Sequence, residues 1–401
     1  MSDPLAIRAQ FPMLATTSRG KPIVYLDSGA SAQKPQVVLD AMMAYYTASY
    51  ANIHRGVYEA SERASLAYDG TRDTVAKFLG GVSPEEIIFV RGTTEAINLV
   101  AQSFLRPTLQ ANDWVLVTEM EHHGNIVPWQ LVGARTVPIP VTDAGTLDMT
   151  AAERLLAEKP RLLAVVHASN TLGTINPIAE LAAMAKRHGV PVLVDGAQAV
   201  SHLAIDVRAL GVDFYCFSAH KLYGPTGVGV LWARRELLDS MPPWQGGGDM
   251  IDRVTFEKTT YAPVPHKFEA GTPDIAGVIG LDAAIRWLND LDRDAIAQRE
   301  HQLWSDGHAL LSGLDGVRMV SAVSNNVGIL TFTLEGAHPH DVASLLDQDG
   351  ICVRAGHHCT QPLHRRLGLP ATVRASIGIY NTADDIGALA TSLGRIREMF
   401  R

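Results

Sequence analysis

Disulfides, membrane spans and a basic face are what this sequence lacks. Three cysteines in 401 residues, an odd number, are too few for a disulfide framework. A reducing, cytoplasmic setting is expected, and there a single thiol is free for chemistry. No run reaches the roughly 18 apolar residues that a membrane helix needs. The opening MSDPLAIRAQFPML has neither the basic start nor the apolar core of a secretion signal. Acidic residues exceed basic ones by 42 to 34, a net charge of −8, so neither nucleic acid nor a membrane is expected as a partner. Internal repeats and low-complexity tracts are absent as well. What is present, 47% hydrophobic and 19% charged, is the composition of a globular protein with ample core, long enough for two or three domains.

From about residue 86 to 235, short apolar runs alternate with helical periods. Strands are expected at 87–90, 114–117, 162–167, 190–194, 214–217 and 228–232. Helices are expected at 95–104, from 117 through Trp129, and at 178–187, where Ile178, Leu181, Ala182 and Ala185 share a face and Gly189 stops the run. Near-continuous apolar strands alternating with helices predict an α/β fold with a mostly parallel sheet covered on both faces. A long helical stretch at 274–311 leads into expected strands at 327–332, 351–353 and 373–379 and helices at 340–348 and 384–399, a smaller α+β domain. The first 20 or so residues are expected to pack with it. Residues 241–250, rich in glycine and proline, read as a loop.

Asp195 ends an apolar strand, where open α/β sheets place their ligand crevices. Pyridoxal phosphate (PLP) needs a carboxylate beside its pyridine nitrogen and a lysine for its Schiff base, and Asp195 with Lys221 fits those roles. Alone, Asp195 also reads as a helix cap or turn residue, and Lys221 reads first as a surface lysine. The pairing, with Ser218-Ala219-His220 before the lysine and GPTGVG after it, points to the cofactor. Arg91-Gly92-Thr93-Thr94 follows a strand and opens a helix, a geometry suited to phosphate or to a plain threonine cap. His122, in Glu121-His122-His123-Gly124-Asn125, is a flat ring that could stack on a pyridine. A metal pair is the competing reading, but adjacent histidines on an extended chain point apart and no regular ligand spacing follows. The glycines at 224, 227 and 229 precede a strand and are not a dinucleotide fingerprint.

Arg354-Ala355-Gly356-His357-His358-Cys359-Thr360-Gln361-Pro362 places a cysteine among polar and basic residues, where a thiolate is favoured. Cys216 and Cys352 lie in apolar strands and read as small core residues. A zinc site from His357, His358, Cys359 and His364 is an open alternative without a regular ligand framework. Arg374 offers a fork that matches a carboxylate, or it is a surface arginine.

The Asp195/Lys221 segment resembles fold-type I PLP enzymes of the class V aminotransferase-like group. The R-x-G-H-H-C loop narrows this to the group II cysteine desulfurases, the SufS/CsdA type. Tyr25-Leu26-Asp27, Asn52-Ile53-His54-Arg55-Gly56, Gly271-Thr272-Pro273 and Arg374-Ala375-Ser376 to Tyr380-Asn381-Thr382 extend the likeness through nearly the whole chain. Tyr58 and Thr171 depart from it, standing where histidine and valine are common. The resemblance implies a seven-stranded-type sheet domain at 21–275, and a smaller domain from 1–20 and 276–401 with the connecting helix and the cysteine loop. It implies Gln198 and Asn170 near the PLP phenolic oxygen, with Thr93, Thr94, Ser218 and His220 at its phosphate. Cys359 is implied as the persulfide carrier and Arg374 as the carboxylate clamp, with Arg354, Asn170 and His54 also toward substrate. A homodimer is implied in which Thr272 and the His54–Arg55 segment approach the other subunit's site. The implied reaction converts L-cysteine to alanine and passes sulfur to a SufE- or SufU-like acceptor for iron–sulfur assembly. Rival readings are selenocysteine lyase, cysteine sulfinate desulfinase, an aminotransferase, or a non-catalytic scaffold.

Overall fold

The computed structural model describes residues 3–320 and 323–400. Met1, Ser2, Ser321, Ala322 and Arg401, in stretches expected to join the smaller domain, lie outside the described residues. Apolar residues on both faces build a central sheet of seven strands. In chain order these are β1 (Ile87–Val90), β2 (Trp114–Thr118), β3 (Arg135–Ile139), β4 (Leu162–Val166), β5 (Val192–Asp195), β6 (Phe214–Ser218) and β7 (Gly229–Ala233). They lie in the order β1-β7-β6-β5-β4-β2-β3. All neighbours are parallel except at β7, which is antiparallel to both β1 and β6.

Alternation along each strand sorts the side chains between two cores. Phe89, Val165, Val194 and Phe217 join the cluster on one face, while Ile88, Ala164, Leu193 and Cys216 join the other. The apolar pattern does not predict β3, whose sequence carries Arg135 and Pro138. It is the sheet edge, where a proline without an N–H is tolerated.

A second sheet of four antiparallel strands runs Val317–Met319, Ile329–Leu334, Thr372–Ser376 and Arg354–Gly356 in space. Its own core gathers Leu26, Trp304, Phe332, Leu346 and Leu389. Arg354–Gly356, expected in a loop, is therefore a strand, with Arg354 opposite Arg374. Ile351–Cys352 pairs instead, in parallel, with Val24–Tyr25. The expected long helix is two helices, Ile275–Asn289 and Arg293–Ser312. The break falls where the Asp292 carboxylate accepts the Ala295 N–H at 3.1 Å, because short acidic side chains compete for backbone donors and cap new helices. The expected helix at 95–104 starts at Thr93 and widens into a π turn over Ala101–Leu105. Beyond β2, a short turn at His123–Asn125 precedes the helix Val127–Leu131. Near the N-terminus, Arg8 bonds Asp385 and the Tyr380 carbonyl, both at 3.2 Å. Phe11 packs edge-on against Tyr223, Trp287 and Tyr380. Among the described residues no helix is long and apolar enough to cross a membrane.

One buried ion pair ties the rim of the large sheet together. The Glu269 carboxylate accepts both Nη groups of Arg72, the Phe89 N–H at 2.7 Å and the Tyr68 hydroxyl at 3.4 Å. Removing one partner of such a pair strands the other charge away from water, typically about 3–5 kcal/mol. Glu269→Ala is expected to lower the unfolding free energy by about that amount. Urea unfolding of both proteins at equal cofactor loading measures it.

Candidate active site

The cleft forms where the parallel strands end. Asp195 is the last residue of β5, and Ser218 the last of β6, with Ala219–Lys221 turning immediately after it. From the other side of β7, helix α1 (Thr93–Val100) opens directly after β1. This close approach needs glycine: a Cβ on Gly229 would lie 2.5 Å from the Gly92 Cα. Thr93, Thr94, His122, Asn170, Asp195, Gln198, Ser218, His220, Lys221, Arg354, Cys359 and Arg374 all line one cleft of about 290 Å³.

At the α1 end, the Thr93 N–H donates to the Ser218 Oγ at 2.8 Å, and the two hydroxyls also meet at 2.8 Å. Gln198 is held by its Nε2 donating to the Gly29 carbonyl at 2.7 Å. His220 faces the Ser31 hydroxyl at 3.3 Å. His122 accepts the Gly124 N–H at Nδ1, 2.9 Å, so its proton sits on Nε2. Burial, with Lys221 nearby, pulls the ring down to about 4, and it is neutral at physiological pH. Burial also lowers the Lys221 amine to about 8. Burial raises the Asp195 carboxyl, against the Ala197 N–H donated to it at 2.9 Å and the charge of Lys221.

The cysteine loop meets the cleft in an unusual backbone. His358 and Cys359 both have positive φ, 50° and 60°, a left-handed conformation that costs non-glycine residues of order 1–3 kcal/mol each. Hydrogen bonds hold it. The His123 N–H donates to the Cys359 carbonyl at 2.8 Å, the Asn170 Nδ2 to the His358 carbonyl at 2.6 Å, and the Gln361 N–H to the His123 Nε2 at 3.0 Å. Cys359 is exposed, Cys352 half-buried and Cys216 buried. Burial pushes the thiols of Cys216 and Cys352 up, which keeps them protonated. Arg374, only 2% exposed, donates to the Asn170 carbonyl at 2.8 Å and pairs with Asp27 at 3.3 Å. Arg354 grips the same Asp27 through two bonds, at 2.8 and 3.2 Å.

Residues 24–389 match the sequence family described as aminotransferase class-V. The chain belongs to the class-V aminotransferase family. It is 47% identical over 392 residues to a probable cysteine desulfurase of Vibrio cholerae, with 97% of each chain covered. It is 46% identical over 395 residues to a cysteine desulfurase of Synechococcus elongatus, a match that takes in 98% of this chain but 63% of that longer protein. Among solved structures, it is similar to the cysteine desulfurase CsdA of Escherichia coli, with a TM-score of 0.93, 40% identity and 100% coverage of both chains.

Two of the residues expected at the site of this class-V chain are not in the cleft. Thr272 lines a separate depression with Arg91 and Glu95, and His54 another with Asp69, Asp249 and His266. The two regions touch, since the Asn52 Nδ2 reaches the Thr272 hydroxyl at 3.5 Å. Sequence reasoning assigns no role to two residues that the structure brings to the site. Asp27 joins both arginines, and its signal was a lone carboxylate closing the apolar run Val24–Leu26. Glu121, fully buried and bonded to Val166, which lines the cleft, accepts Thr118 and Asn125 side chains and the Val166 N–H at 2.7–2.9 Å, while burial raises its carboxyl to about 8. It carries no sequence signal beyond its place beside the histidines. Among the described residues no group of three or more metal-type ligands is assembled.

The donor set fits PLP. A buried carboxyl and an amine share the cleft, hydroxyls and a helix N-terminus stand at one end, and the Asn170 Oδ1 is buried without a partner. Only a neutral amine is nucleophilic, so in cofactor-free protein Lys221 should be reductively methylated with a pH midpoint near 8. Surface lysines should follow the ordinary value of about 10.4. Mass-spectrometric mapping of methylation across a pH series distinguishes the two, and a Lys221 midpoint near 10 would refute its perturbation.

Proposed function

We propose that this chain is a PLP-dependent cysteine desulfurase, which converts L-cysteine to alanine and keeps the sulfur as a persulfide on Cys359. The observation that carries this reading is Cys359 itself, an exposed thiol on a strained loop that opens onto the cleft holding Asp195, Lys221 and Arg374. An aminotransferase has no use for that thiol.

Lys221 and Asp195 would hold the cofactor at its aldehyde and pyridine nitrogen. Thr93, Thr94, Ser218 and His220 would hold its phosphate, and Asn170 and Gln198 its phenolic side. His122, a flat neutral imidazole, suits stacking on the ring. Bound there, PLP supplies an electron sink for a carbanion at the substrate α-carbon. The chain does the rest. Arg374 clamps the substrate carboxylate, with Arg354 adding a second positive charge. Lys221 Nζ, brought within reach of neutrality, takes the α-proton. The Cys359 thiolate attacks the substrate Sγ, so an S–S bond forms as the Cβ–Sγ bond breaks and its electron pair stays with carbon. Protonation of the remaining three-carbon fragment yields alanine.

Within the same proposal, residues 21–275 form the cofactor-holding domain, and 1–20 with 276–401 the smaller one. The separate core around Phe332 and Leu389 supports the division from Leu303 onward, while Ile7, Phe11 and the helix Ile275–Asn289 pack into the core of the large sheet. The chain works in the cytoplasm as a homodimer that brings the Thr272 and His54 region to the partner's cleft. Exposed Met43, Tyr46, Tyr50, Val57 and Tyr58 beside that region support such an interface. Persulfide sulfur then passes to a small acceptor of the SufE or SufU type for iron–sulfur assembly.

Incubation with L-cysteine should release alanine and label Cys359 with sulfur in step. Cys359→Ser should retain the cofactor's visible spectrum and lose both products. Cys216→Ala and Cys352→Ala should keep both. Sulfur mapped to Cys216 or Cys352, or full turnover without Cys359, would overturn the assignment.

Arg374→Ala should raise KM for L-cysteine by the equivalent of about 2–5 kcal/mol, because the carboxylate loses a charge-assisted partner. Steady-state kinetics decides it, and an unchanged KM would mean that Arg374 has no part in holding the carboxylate.

A further inference from the structure

Beneath the cysteine loop lies a chain of buried side-chain hydrogen bonds that the proposed chemistry does not use. The Thr360 hydroxyl meets the Thr171 hydroxyl at 2.8 Å, the His357 carbonyl at 2.9 Å and the His364 Nδ1 at 3.3 Å. His364 Nδ1 also lies 3.1 Å from the Thr360 carbonyl, and its Nε2 lies 3.1 Å from the Thr372 hydroxyl. The same Thr372 oxygen meets the His358 Nε2 at 2.9 Å. Thr171, Thr360 and Thr372 have no exposed surface, and His364 and His358 are 1% and 7% exposed.

The protons in this chain can be ordered by elimination. A carbonyl only accepts, so the nitrogen beside the Thr360 carbonyl, His364 Nδ1, carries a hydrogen. The Thr360 hydroxyl spends its one hydrogen on the His357 carbonyl and accepts from Thr171 and His364, which fills both lone pairs. Burial keeps His364 neutral, so its Nε2 is bare and Thr372 donates to it. Thr372 in turn accepts from His358 Nε2. The other nitrogen of that ring, His358 Nδ1, is left bare, buried and without a partner, on a residue that lines the cleft.

We infer that Thr360, braced by Thr171 and His364, is a positioning residue that holds Cys359 in its left-handed turn, and that the proton order through Thr372 leaves His358 Nδ1 a bare, buried acceptor. This rests on the desulfurase reading for its kinetic consequence, but not for its geometry. Thr171, the departure from the common valine, supplies a hydroxyl that valine lacks. The loop's strain at His358 and Cys359 is then held from below by side chains as well as from the cleft side by His123 and Asn170.

The test uses holoenzyme with Thr360→Val, which keeps the shape and deletes the hydroxyl, and Thr360→Ser, which restores it. A lost buried hydrogen bond and a displaced nucleophile should lower kcat about tenfold or more, with KM for L-cysteine within about threefold. Iodoacetamide labelling of Cys359, read by mass spectrometry against Cys352, should shift by about tenfold in Thr360→Val and return in Thr360→Ser. Unchanged kcat and labelling in Thr360→Val would overturn the inference. So would a serine variant as impaired as the valine one, since packing rather than the hydroxyl would then matter. If Thr360→Val does not fold, Thr171→Val probes the same oxygen: a shift in the same direction supports the inference, and no shift overturns it. Nitrogen-15 spectra of labelled histidines should show Nδ1–H at His364 and Nε2–H at His358, and Nε2–H at His364 would break the proposed order. Wild-type protein that released no alanine would defeat the desulfurase reading alone, because labelling and tautomers are read without turnover.

Discussion

The site depends on a single carboxylate, Asp27. Its two oxygens are shared between Arg354 and Arg374, residues on adjacent strands of the four-stranded sheet. Arg374 also donates to the Asn170 carbonyl, in the segment that leaves β4 of the large sheet. Arg374, held by this acidic group from the N-terminal segment, therefore links the two sheets. The carboxylate offsets one of two positive charges and leaves the pair net cationic, a setting that favours an anion. Two arginines side by side without it would repel, and Arg374 would be a buried charge with no ionic partner.

The same enclosure sets the protonation of the other groups. Water excluded from the strand ends lowers the Lys221 amine to about 8 and the His122 ring to about 4, so both are nearer their neutral forms. It raises the thiols of Cys216 and Cys352, which keeps both protonated. Cys359, by contrast, stands on an exposed loop. A left-handed backbone at two successive residues is the cost of that placement, and hydrogen bonds from His123, Asn170 and Thr360 compensate for it.

Much of this was legible in the residues. The apolar strands and their helices announced the parallel sheet, because a strand buried on both faces cannot carry polar side chains. Asp195, Ser218, His220 and Lys221 stood out for the converse reason, as polar groups where such strands end. Less legible was β3, since an edge strand admits the arginine and proline that a central strand excludes. The paired helices at 275–289 and 293–312 looked like one, because an aspartate that breaks a helix by capping the next, as Asp292 does, has the same polarity as surface residues within it. Asp27 and Glu121 drew no role, since a carboxylate's partners lie far away in sequence: Arg354 and Arg374 for the first, Val166 among them for the second.

By itself the sequence determined the class of fold, the pairing of Asp195 with Lys221 and the polar setting of Cys359, all of which are local patterns of polarity along one stretch of chain. Only the tertiary structure decided that these stretches meet in one cleft, that Thr272 and His54 stand apart from it, and that Thr171, Thr360, His364 and Thr372 form one chain of bonds. Hydrogen bonds and ion pairs act over about 3 Å, and which residues come that close is set by how the two sheets pack, which no local pattern records.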